Sequence, residues 1–193
     1  MGFFRTLYRE ARDILGMKPP AENATQRAER LCGELKGDYF GKKAKHGDDY
    51  TLDTVIDERE VSLLFEAEAG RACVAMVAEI DPDLRWTVHR DPLEGADACP
   101  SGIDRIYVAT ELYVEGRGRE AAEAEALWKK LPTGARGVIS QLVGRAGGEL
   151  EVEGGVARYS PELETLDGKS ARYTIRNHVQ AMQKIVEGME SGW

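Results

Sequence analysis

Residues 61–78 read VSLLFEAEAGRACVAMVA, two strand patterns set back to back. In the first, Val61, Leu63, Phe65 and Ala67 alternate with Ser62, Glu66 and Glu68. Alternate side chains of an extended chain point to opposite faces, so the pattern predicts a strand with one dry and one wet face. Ala69-Gly70 marks a turn. Residues 71–80 are apolar on both faces, the pattern of a strand inside a sheet rather than at its edge. Strands joined by so short a turn must pair antiparallel, because parallel pairing needs a long crossover.

The same signals extend in both directions. The period of two begins near Tyr50, and Asp81-Pro82-Asp83 turns the chain into a further strand over residues 84–89. Residues 91–102 hold two prolines, two glycines and three acidic residues, and predict a loop. Ile106, Val108, Thr110, Leu112 and Val114 then alternate with Tyr107, Ala109, Glu111 and Tyr113, which predicts one strand ending at Gly116-Arg117-Gly118. Residues 119–130 are rich in alanine and glutamate, good helix formers. Pro132 separates them from a second helix capped by Thr133 and ending at Gly147-Gly148. Residues 150–160 form a hairpin pattern around Gly154-Gly155. Ser170 caps a long helix with Ile175, Val179, Met182, Ile185, Val186 and Met189 on one stripe.

Upstream, a helix is expected from Asn23 or Thr25 to Lys36, ending at Gly37. Before it, Phe3, Phe4, Leu7, Tyr8, Ala11, Ile14 and Leu15 recur at the spacing of one helix face, with Arg5, Arg9, Arg12 and Asp13 on the remainder. Gly16 and Pro19-Pro20 stop that helix. Two parts follow: residues 1–20 as an amphipathic helix with a proline-containing linker, and residues 21–193 as one domain. The fold class is α+β: an antiparallel sheet of about five to seven strands, helices packed mainly on one face, and the order α-α-β(4-5)-α-α-β-β-α. This order is similar to that of the small acidic dimeric secretion chaperones of bacteria. The likeness is one of topology and implies no site; the leading helix and the segment from Leu84 to Gly102 depart from it.

A chain of 193 residues with 42% apolar content has enough large side chains for one core. Its net charge of −8 repels phosphate backbones, and the basic group Lys42, Lys43, Lys45 and His46 is followed at once by Asp48, Asp49, Asp53, Asp57 and Glu58. No nucleic-acid partner is expected. Cys32, Cys73 and Cys99 include no C-x-x-C pair, which argues against a zinc knuckle or a thioredoxin-type site and suits a reducing, cytoplasmic setting. The longest apolar run, residues 72–78, is far too short to cross a bilayer.

No catalytic residue, cofactor or metal is expected. Gly168-Lys169-Ser170 resembles the tail of a phosphate loop, but Leu163 stands where that motif needs glycine. Among the three histidines, His46 with Asp48 and Asp49 reads as a solvated turn before a cation site, and His178 as a packed side chain. His89 and Cys99 are the only pair suited to nucleophilic catalysis, and their spacing does not require it.

The expected function is therefore a non-enzymatic protein-binding module, an adaptor, assembly factor or chaperone-like homodimer. The partner-binding candidates are Phe3, Phe4, Leu7, Tyr8, Ile14 and Leu15 on the first helix, and Tyr107 and Tyr113 on a strand face, since aromatic side chains anchor interfaces. The first helix is expected to cover this protein's own flank, then a partner or second subunit, and only third an anionic membrane surface. The alternative is an enzyme or apolar-ligand binder whose pocket lies between the sheet and the last helix, lined by Met182 and Met189.

Overall fold

The structure is a computed structural model that describes residues 22–89, 103–109, 112–117, 124–145, 147–162, 165–167 and 170–193. The expected first helix and the division at residue 20 lie outside this set, as do Cys99, Gly168 and Lys169.

The described elements follow the order α1 (Ala24–Tyr39), β1 (Lys42–His46), β2 (Asp49–Ile56), β3 (Arg59–Glu66), β4 (Arg71–Val77), β5 (Arg85–His89), β6 (Ile103–Ala109), β7 (Leu112–Arg117), α2 (Ala124–Lys130), α3 (Thr133–Ile139), a π-helical turn (Ser140–Arg145), β8 (Glu149–Glu153), β9 (Val156–Ser160) and α4 (Ala171–Gly192). All strand pairs are antiparallel, in the spatial order β1-β2-β3-β4-β9-β8-β5-β7-β6. The α+β class and the large antiparallel sheet agree with the sequence reading.

The register explains the core. Lys43, Leu52, Leu63, Val74, Tyr159, Leu150, Val88, Val114 and Ile106 are successive cross-strand partners, one row across all nine strands. Leu52, Leu63, Val74, Tyr159, Leu150 and Val88 are fully buried. Helical residues join the same cluster: Leu31 and Leu35 from α1, and Ile175, Val179, Met182, Ile185, Val186 and Met189 from α4. The α4 stripe read from spacing is thus the face that packs on the sheet. Burying each such side chain stabilises the fold by roughly 1.5–3 kcal/mol.

Among the described residues the sheet has nine strands where five to seven were expected, for two physical reasons. The first is β1, whose sequence KKAKH has no large apolar residue and so no hydrophobic period to detect. The second is residues 106–114, expected as one strand, which form the hairpin of β6 and β7. Ile106 pairs with Val114 and Tyr107 with Tyr113, so residues of the same parity share a face on both strands. The register shifts only between Tyr107 and Ala109, where Ala109 pairs with Leu112, so most of the two strands keeps a common parity and their sequence reads as one alternation.

The start of α1 agrees with expectation, and other helix ends differ. Asn23 caps α1: its side chain accepts the Gln26 N–H at 2.8 Å while the Gln26 side chain accepts the Asn23 N–H at 3.0 Å. The helix passes through Gly37 and closes at Phe40, which takes the left-handed conformation at φ 54°. Pro132 rather than Thr133 occupies the N-cap of α3. Ser170 precedes α4 without a side-chain capping bond.

Candidate functional site

A nine-stranded sheet has two edges, and here they are built differently. β1 carries three lysines and a histidine in five residues. The Lys43 ammonium lies 4.6 Å from the centre of the Tyr50 ring and 3.6 Å from the Glu29 carboxylate. Lysines along an edge discourage pairing with another chain. At the far edge, β6 reads IDRIYVA, with no lysine and with Ile103, Ile106, Tyr107 and Val108 in seven residues. Among the described residues no strand pairs with its outer side.

The sequence candidates Tyr107 and Tyr113 come together there. They are cross-strand partners, and Tyr113 is also the partner of His89 on β5. In register, all three lie in the row next to that of Ile106, Val114 and Val88. The other candidates, Phe3, Phe4, Leu7, Tyr8, Ile14 and Leu15, lie outside the described residues.

Two surface concavities went unread in the sequence. A groove of about 430 Å³ opens on the face opposite the helices, with Val55, Ala75, Val77 and Val156 as its apolar part and Asp53 and Glu60 among its other walls. Val55 is 63% exposed and Val77 41%, unusual for residues inside a sheet. Their grouping follows from the pairings Val77 with Val156 and Val55 with Glu60, long-range and turn registers that no local pattern announces.

The second concavity, about 770 Å³, lies between the start of α1 and the β1–β2 and β3–β4 turns, and includes His46, Asp48, Asp49, Glu66, Glu68 and Arg71. Several of its polar groups are engaged. Asp49 accepts the Ala67 N–H at 2.8 Å, Glu66 and Arg71 pair at 2.5 Å, and His46 Nε2 is 3.4 Å from the Thr51 hydroxyl. Among the described residues no three His, Cys, Asp or Glu side chains are placed to hold a metal ion.

The remaining candidates for chemistry are buried. His178 is 6% exposed, its Nδ1 has no hydrogen-bond partner, and burial pushes its pKa down to about 4. Burial also raises the Cys32 and Cys73 thiols, which leaves them poor nucleophiles. Met182 and Met189 are fully buried within the sheet–helix core, where they fill space that a pocket would need. No helix among the described residues is long and apolar enough to cross a membrane.

No protein-family model and no curated protein matches the chain. Among solved structures it is similar to the crystal structure of the mycobacterial trehalose monomycolate transport factor A, TtfA, with a TM-score of 0.53 and 9% identity. The match covers 89% of this chain and 97% of the other, so the likeness is one of whole fold.

Proposed function

We propose that this chain is a non-enzymatic protein-binding module, an adaptor or assembly factor, that forms a homodimer by joining β6 to β6 of a second copy. The carrying observation is the contrast between the edges: β1 is blunted by lysines, while β6 is free of lysine and, among the described residues, has no strand paired with its outer side. Strand addition supplies affinity through main-chain hydrogen bonds and specificity through the residues opposite one another.

A two-fold axis at Ile106 suits the β6 sequence. It sets Ile106 opposite Ile106 of the second copy, and Arg105 opposite the second copy's Tyr107, twice by symmetry. Guanidinium groups and tyrosine rings attract one another, and such cross-strand pairs each contribute roughly 0.2–1 kcal/mol. The fold shared with TtfA contributes only the architecture. A reducing, cytoplasmic setting fits the free, buried thiols of Cys32 and Cys73.

Sedimentation of the full chain tests the proposal. The expected mass is twice 21.3 kDa, and the Ile103→Lys/Tyr107→Lys chain is expected to sediment as a monomer. A wild-type monomer at high concentration, or a variant that remains dimeric, would overturn it.

A further inference from the structure

We infer that the groove at Val55, Val77 and Val156 is the docking site of this chain's own N-terminal segment, residues 3–15. Three observations support this occupant.

The first is chemistry. Residues 3–15 present Phe3, Phe4, Leu7, Ile14 and Leu15 at helical spacing, an apolar stripe that needs cover. The groove supplies exposed valines on the sheet face opposite the helices. The second is charge. The stripe is flanked by Arg5, Arg9 and Arg12, against Glu10 and Asp13, on a chain of net charge −8. The groove is walled by Asp53 and Glu60, and Glu58 stands in the adjoining turn. A basic amphipathic helix and an acidic-walled apolar groove are complementary.

The third is reach. The described chain begins at Glu22, and the first turn of α1 borders the β1–β2 and β3–β4 turns. From Asp49 to Val55 along β2 is about 20 Å at the rise of a strand. A helix over residues 3–15 is also about 20 Å long. The six residues 16–21 extend up to about 20 Å, enough to round the end of the sheet and lay that helix along its open face.

The test uses methyl NMR and amide exchange on the full chain. In a Phe4→Ser/Leu7→Ser chain the Val55, Val77 and Val156 methyl signals are expected to shift, while that of Val152, buried on the other face, stays in place. In a Val77→Glu chain, changed at an exposed position, the amides of residues 3–15 are expected to lose their exchange protection. Unmoved valine signals in the first chain, or retained protection in the second, would overturn the inference. Protection in the wild type that rises with protein concentration would also overturn it and assign the groove to a second copy's segment. Protection seen only with phosphatidylserine vesicles would assign the segment to membrane. The β6 variant Ile103→Lys/Tyr107→Lys leaves these valine signals unmoved, so the two proposals fail separately.

Discussion

The imidazole of His178 meets the Tyr159 ring edge-on, with centroids 5.0 Å apart and planes at 82°. Tyr159 is itself fixed, since its hydroxyl donates to the Gly147 carbonyl at 2.7 Å with the Leu142 carbonyl at 3.3 Å. The arrangement holds a neutral histidine in an apolar setting with Nδ1 unpartnered.

That histidine should make the fold acid-sensitive. Its pKa is pushed from 6.5 down to about 4, so below pH 6.5 the unfolded chain binds a proton that the folded chain refuses. Stability from this group is therefore full above pH 6.5, falls as pH drops, and is gone below pH 4. The loss is about 3 kcal/mol at roughly 1.4 kcal/mol per unit. Urea titrations at pH 7 and pH 4 should show that His178→Leu removes this part of the pH dependence. An equal loss in both chains would exclude it.

Gly148 sits at φ +112°, and a Cβ there would lie 2.3 Å from the Ser160 carbonyl oxygen and 2.8 Å from Pro161 Cα. Both obstacles are backbone. Gly148→Ala should cost about 3 kcal/mol or more, through backbone strain and displacement of the β8–β9 hairpin. Gly154, at φ +62° with open space around it, provides the control: Gly154→Ala should cost only about 1 kcal/mol. Equal midpoints in denaturant for the two variants would contradict this assignment.

Arg59 at the start of β3 pairs with Glu190 near the end of α4, and Glu190 also accepts the Glu79 N–H at 2.9 Å. The guanidinium holds the Glu190 carboxyl below its ordinary pKa. Both side chains are largely shielded, so the pair should be worth more than a surface contact. A double-mutant cycle with Arg59→Met and Glu190→Gln should give a coupling of about 1 kcal/mol, which shrinks as acid protonates the carboxyl. A coupling near zero at pH 7 would remove the pair from the account of how α4 is clamped.

The local registers were legible and the long-range ones were not. Residues 61–78 encode their hairpin because Val61, Leu63 and Phe65 face a core, although the turn takes in Ala67 and Glu68 as well as the expected Ala69-Gly70. Ser62 and Glu66, expected in open water, are only half-buried, because Ser62 donates to Asp53 and Glu66 pairs with Arg71 across strands. The insertion of β8 and β9 between β4 and β5 brings Val156 beside Val77, and a pairing at that separation leaves no periodic trace. The groove was invisible for this reason. β1 was missed because an edge strand protected by lysine has given up the apolar alternation that identifies strands.

Amide hydrogen exchange of β6 across a range of protein concentration addresses the dimer edge directly, with β1 as the internal reference. If β6 pairs with a second copy, the outward amides of residues 103–109 gain protection as concentration rises, while those of residues 42–46 exchange at a constant rate. Protection of β6 that is independent of concentration, or a gain confined to β1, would contradict the assignment of β6 as the binding edge.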